Sequence, residues 1–116
     1  MSVSLYSVTY DCGDAAELAG FWSSVLERPV ADGASAEMAS IPPPDDGGPH
    51  WYFMQVPEGK IAKNRMHPDF AAPDLAAEVE RIVALGAKRA GEFNEGGLHW
   101  VTLQDPDGNE FDVVAG

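Results

Sequence analysis

Ala15-Ala16-Glu17-Leu18-x-x-Phe21-Trp22 and Ala76-Ala77-Glu78-Val79-x-x-Ile82-Val83 are the stretches on which the fold turns. They lie 61 residues apart and share one pattern: two alanines, a glutamate, then apolar residues at helical spacing. The pattern predicts two helices, about Ala15–Leu26 and Leu75–Leu85. Asp14 stands as N-cap of the first, with Glu17 completing a capping box, and Asp74 opens the second. Pro29 stops the first helix, and Gly86 sits where a helix-ending glycine belongs. A second echo, Gly-Gly-Pro-His-Trp at 47–51 and Gly-Gly-Leu-His-Trp at 96–100, is offset by 49 residues. One duplication cannot produce both offsets. The first preserves element order and is preferred; the second reflects similar hairpin chemistry.

Outward from each helix the chain reads as strands. Residues 3–10 alternate and are β-branched or aromatic. Two short strands are expected around Asp32-Gly33, the second at 37–41. A Pro- and Gly-rich loop covers 42–49, and a strand covers 50–56. Residues 60–65 hold three of the seven basic residues; Lys60, Lys63 and Arg65 either hold an acidic ligand group or, as charged connectors usually do, stand solvated, and the second reading is preferred. Strands follow at 66–72, weakly at 88–93, at 99–104 and at 110–114, with a tight Asp105-Pro106-Asp107-Gly108-Asn109 turn before the last. The order is β-α-β-β-β twice, about 1–59 and 60–116, in one α+β domain.

Composition narrows the function. The chain has 116 residues, enough for one packed core, and 45% apolar content excludes wholesale disorder. No apolar run approaches the roughly 20 residues of a membrane helix. The first residues lack signal-peptide character, so the expected compartment is the cytoplasm. Cys12 is the single cysteine, so a multi-cysteine zinc site is excluded, and no flanking cation or base makes it a nucleophile. The net charge of −12 opposes nucleic acid and anionic membranes and attracts cations.

Three segments carry a family resemblance. They are Ser7-Val8-Thr9-Tyr10-Asp11-Cys12-Gly13-Asp14 running into a helix with Phe21-Trp22; Val56-Pro57-Glu58-Gly59-Lys60 through Lys63-Asn64-Arg65-Met66-His67-Pro68-Asp69; and His99 through the Asp105–Asn109 turn to Phe111. Together with the doubled βαβββ order they resemble the vicinal oxygen chelate superfamily of glyoxalases, bleomycin-resistance proteins and extradiol dioxygenases. The resemblance implies two βαβββ modules forming a cup-shaped, half-barrel mixed sheet with the helices outside. It implies a cavity that takes a small molecule, and a symmetric homodimer. In the superfamily's metal enzymes, ligands come from the first and last strands of each module.

Carried over position by position, those places fall on Ser7, Gln55, His67 and Asp112. One imidazole and one carboxylate fall short of zinc's usual three protein ligands, so no tight metal is expected. A weak divalent site would use His67, Asp112 and Gln55. The expected cavity is lined by Ser7, Thr9, Gln55, His67, Asp112 and at least one of Trp51 and Trp100, with His67 the candidate catalytic residue. Trp51 and Trp100 serve equally as core or as walls that stack on planar or cationic ligands. Glu110 reads as solvated. The leading function is a small-molecule binding protein of the bleomycin-resistance type, sequestering a planar or cationic compound without a cofactor. The alternatives are a metal-dependent lyase, isomerase or dioxygenase acting on a small oxygenated substrate, and a metal-free acid–base enzyme using His67 with Asp69 or Asp112.

Overall fold

The computed structural model describes residues 2–45 and 47–116; Met1 and Asp46, the latter within the loop read at 42–49, lie outside them. The chain divides into two compact units, residues 1–59 and 60–116. Each is built on a mixed sheet with one helix.

The first unit runs β1 (Ser7–Cys12), α1 (Ala15–Leu26), β2 (Met38–Ile41) and β3 (His50–Gln55). β3 is central, parallel to β1 and antiparallel to β2. Asp14 caps α1, its carboxylate accepting the Glu17 amide at 3.0 Å. Helix spacing places Leu18, Ala19, Phe21 and Trp22 on the buried face. They meet Tyr10, Trp51 and Phe53, which alternation sends to the same side of the sheet. Trp22 lies 5.3 Å from Trp51 and 5.5 Å from Tyr10 between ring centres. Burying one such side chain contributes about 1.5–3 kcal/mol, so this aromatic group holds the unit together.

The second unit runs β4 (Asp69–Ala72), α2 (Leu75–Ala84), β5 (Lys88–Glu95), β6 (Leu98–Gln104) and β7 (Glu110–Ala115). Its strand order is β4-β7-β6-β5, with β4 parallel to β7. Asp74 caps α2 by accepting the Ala77 amide at 3.1 Å. Leu75, Val79 and Ile82 of α2 are buried, as are Val101, Leu103, Phe111 and Val113 of the sheet.

Several expectations require correction. The strand read at 3–10 is Ser7–Cys12, with Tyr6 already bonded through its carbonyl to the His50 amide. Of the two strands expected around Asp32-Gly33 only the second forms. The first is reduced to one bond, Ala31 N–H to Ser40 O at 2.9 Å, so the first unit is βαββ and the second βαβββ. The strand read at 66–72 starts at Asp69, because Pro68 has no amide to donate; its carbonyl still accepts the Asp112 amide. The weak strand at 88–93 is eight residues long, with an irregularity between Arg89 and Gly91.

The repeat itself is in register at 60 residues rather than 61. Asp14 and Asp74 play the same capping role, and buried Ala15, Ala19 and Trp22 correspond to buried Leu75, Val79 and Ile82. Thr9 pairs with Tyr52, and Asp69 pairs with Asp112. The two alanine-glutamate matches are therefore one residue out of step with the buried faces. Small-residue identity is a weaker guide than which side chains are covered.

Candidate functional site

The polar side chains of the second unit converge where β4 enters the sheet. Asp69 and Asp112 are register partners on β4 and β7, and Thr102 of β6 is the partner of Asp112 on its other side. Alternation sends all three to the sheet face opposite buried Phe111, Val113, Val101 and Leu103. His67 stands two residues before Asp69, in the irregular segment ahead of β4 rather than on the expected strand. Its Nδ1 lies 3.0 Å from Asp69 Oδ1 and 3.7 Å from Asp112 Oδ2. Thr102 Oγ1 donates to Asp112 Oδ1 at 2.6 Å. The Asp112 side chain is 15% exposed, whereas that of Asp69 is 57% exposed. One carboxylate is thus held and shielded, and the other is open to solvent.

His67, Asp69 and Asp112 each offer a donor atom within 4.8 Å of the others. One imidazole with two carboxylates is an oxygen-rich set that suits a hard divalent ion better than zinc. The sequence reading named His67 and Asp112 together, and the structure brings them together. It named Asp69 only as an acid–base partner for His67. The signal for more was there: a residue two positions after His67, opening a strand, shares its side of the chain.

The same face carries an aromatic pair. Trp100 is two residues from Thr102, so it follows Asp112 along the sheet by roughly 7 Å. Phe93 is its register partner, with ring centres 5.3 Å apart and planes 23° apart. Gly91 makes room for this: a Cβ there would lie 2.9 Å from the Phe93 ring. Phe93 was not singled out from sequence, because its strand reads weakly.

Glu110, read as solvated, is 9% exposed and holds the connector. Its carboxylate accepts the Asn64 amide at 2.8 Å and pairs with Lys60 at 3.2 Å. Asn64 Nδ2 also donates to the Glu110 carbonyl at 3.2 Å. Burial pushes the Glu110 carboxyl up, but the Asn64 amide and the Lys60 ammonium outweigh it and hold it below the usual carboxylate range. The connector is therefore tied to β7 two residues from Asp112. The Asp105–Asn109 turn is also a structural device. Asp105 is 3% exposed, and its Oδ1 accepts the Asp107 and Asn109 amides, each at 2.9 Å.

In the first unit, Ser7 and Thr9 share the face opposite the aromatic core, beside His50 and Tyr52. Trp51 does not reach that face. It is 7% exposed and stacks on Tyr10 with centres 5.5 Å apart, so it is core. Gln55 is also misplaced by the sequence reading. It pairs with buried Cys12 on the Trp51 side, and its Nε2 donates to the Gly13 carbonyl at 2.9 Å. At the 60-residue offset the counterparts of His67, Asp69 and Asp112 are Ser7, Thr9 and Tyr52. The Tyr52 hydroxyl lies 3.3 Å from that of Tyr6, and this hydrogen bond, with burial, raises its pKa. A cavity of about 170 Å³ lies between the 31–35 turn and β2, lined by Asp32, Ser35, Met38, Ser40 and Tyr52 among others. It includes none of the residues expected from sequence.

Comparison with known proteins follows the same lines. Residues 7–114 match the model of the glyoxalase-like domain. Among curated proteins none matches by sequence. A glyoxalase/bleomycin resistance protein/dioxygenase family enzyme from Burkholderia phytofirmans superposes with a TM-score of 0.78 at 15% identity, covering 97% of this chain and 98% of that one. A mutant of the fosfomycin resistance protein FosX from Listeria monocytogenes, complexed with Mn(II) and 1S,2S-dihydroxypropylphosphonic acid, has a TM-score of 0.78 at 18% identity, covering 100% and 92%. Lactoylglutathione lyase from Agrobacterium tumefaciens has a TM-score of 0.68 at 15% identity, covering 99% and 95%. At these identities the neighbours share the fold. With the family model spanning both units, the chain belongs to the glyoxalase-like domain family.

Proposed function

We propose that the protein binds a small oxygenated molecule on the open sheet face of its second unit, assisted by a weakly held hard divalent ion on His67, Asp69 and Asp112. The observation that carries this is the convergence of those three donors within 4.8 Å. The FosX mutant of the same fold complexed with Mn(II) supports this reading. A bound ion would polarise a ligand oxygen as a Lewis acid. The chain's own residues do the rest. Thr102 fixes the Asp112 carboxylate, Asp69 and Asp112 orient the His67 ring, and the Phe93–Trp100 pair offers an apolar floor to the ligand's carbon skeleton.

A second reading keeps the ligand and drops the chemistry. The half-exposed Phe93 ring stacked on Trp100 suits a planar compound, which the protein would sequester. A homodimer in the cytoplasm belongs to both readings; no helix among the described residues is long and apolar enough to cross a membrane.

Calorimetric titration with Mn(II) decides between them. One site per chain is expected, weakened at least tenfold in Asp112→Asn. Undetectable Mn(II) binding at millimolar concentration overturns the metal-assisted reading and leaves sequestration.

A further inference from the structure

Three basic residues stand between Gly59 and Met66, and they differ in what they hold. Lys60 is committed to Glu110. Lys63 and Arg65 are exposed, and among the described residues neither enters an ion pair or a hydrogen bond. Lys88 on β5 is likewise without an ion pair and Arg28 donates to the Pro42 carbonyl, so it is the position of Lys63 and Arg65 on the chain that sets them apart. Arg81 pairs with Glu78, and Arg89 lies 3.7 Å from Glu92.

Their place on the chain is fixed from both sides. Asn64, between them, is tied to Glu110 through its backbone amide and its side chain. His67 is tied to Asp69 and reaches toward Asp112. The segment 64–67 therefore runs beside Glu110–Asp112 of β7. Arg65 is two residues from His67, so their Cα atoms are at most roughly 7 Å apart. An arginine side chain is long enough to span that distance, and its planar fork of donors fits two oxygens of an anionic group. Lys63 adds a second positive charge on the same anchored segment.

We propose that Lys63 and Arg65 form an anion subsite beside the His67–Asp69–Asp112 cluster, so that the ligand carries a carboxylate or a phosphoryl-type oxyanion. The inference deepens the proposed function by naming the ligand's charge. It narrows the class to small oxygenated acids and sets aside the cationic compounds that net charge alone suggested.

The test uses two probes, methylphosphonate and acetate, titrated into the whole protein with and without Mn(II). The variant is K63Q/R65Q. Its charge-matched control, K88Q/R89Q, removes two positive charges from β5. Binding of at least one probe is expected, weakened tenfold or more in K63Q/R65Q and less than threefold in the control. Which probe binds more tightly tells a phosphonyl from a carboxylate group. Mn(II) affinity is read separately on the same variants. If the anion is lost in K63Q/R65Q while no form binds Mn(II), the subsite stands and the metal-assisted reading falls. If neither probe binds at millimolar concentration, or both double variants weaken binding equally, the subsite is overturned and the two cations are surface charge.

Discussion

Replacing Glu110 by glutamine tests whether the connector is held as the structure holds it. The change keeps size and shape and removes one charge. In the wild type the carboxylate takes the Asn64 amide at 2.8 Å and Lys60 at 3.2 Å, with side chains 11% and 21% exposed for Glu110 and Lys60. A fully exposed ion pair is worth about 0–1 kcal/mol, and a charge-assisted hydrogen bond with restricted solvent about 1.5–3 kcal/mol. Glutamine can still accept the Asn64 amide, but its NH₂ then faces the Lys60 ammonium, donor against donor. The expected loss is about 1.5–3 kcal/mol, or a fall in Tm of about 5–12 °C for a chain of this size.

The assay is thermal unfolding followed by far-UV circular dichroism, in chelator so that no metal contributes. Glu92→Gln is the control. Its carboxylate meets His99 Nε2 at 2.7 Å and Arg89 at 3.7 Å, but all three side chains are exposed, and the expected change is under about 1 kcal/mol. The pH dependence adds a second readout. Because the folded-state carboxyl of Glu110 is held below its ordinary value, its stabilisation is present above the unfolded pKa of about 4.3 and is lost as pH falls through the lower folded value. The gap between wild type and Glu110→Gln should be widest near neutrality and close at strongly acid pH. A Tm within 2 °C of wild type at pH 7, or a gap that widens in acid, would refute the reasoning.

Asp105→Ala removes the acceptor of the Asp107 and Asn109 amides at a site 3% exposed. A cost of about 2–4 kcal/mol is expected by chemical denaturation. Asp14→Ala removes the cap of α1 and should cost about 1 kcal/mol in the same assay. Gly91→Ala pushes its new methyl into the Phe93 ring at 2.9 Å. That ring is 41% exposed and free to swing away, so stability should change by less than about 1 kcal/mol while the near-UV circular dichroism of the Phe93–Trp100 stack is lost.

The elements most legible in the sequence were those that one local rule decides. Asp14 and Asp74 cap their helices because an aspartate ahead of an apolar periodic run has few other uses. The Asp105–Asn109 turn and the strands around it were legible for the same reason. What failed depended on a partner elsewhere in the chain. Alternation tells which residues share a face but not which face is covered. Trp51 could be wall or core until Tyr10 and Trp22 were found against it. Glu110 looks solvated until Lys60 and Asn64, far back in the sequence, arrive at its carboxylate. The family resemblance puts the first module's last-strand ligand place at Gln55, whereas register selects Tyr52, three positions earlier.

The 60-residue repeat explains why the candidate metal-binding cluster sits on one unit. Both copies keep the frame: capped helix, first strand parallel to last, and at equivalent places on the core side the buried pairs Trp51 with Phe111 and Phe53 with Val113, and buried Tyr10 with half-buried Phe70. What differs is the open face. Ser7, Thr9 and Tyr52 offer hydroxyls where the second unit offers an imidazole and two carboxylates. Hydroxyls are neutral and poor ligands for a divalent ion at neutral pH, whereas carboxylates bind one through charge. The frame tolerates either set because those positions point away from the core and carry none of its packing. Putting the second set into the first unit, as Ser7→His, Thr9→Asp and Tyr52→Asp together, should therefore leave the fold intact, with Tm within about 8 °C of wild type. It should also create a second Mn(II) equivalent in a calorimetric titration, beside the single one expected of the wild type. If the triple variant folds and still binds a single equivalent, the open faces are not interchangeable, and the second unit's cluster depends on more than its three donors.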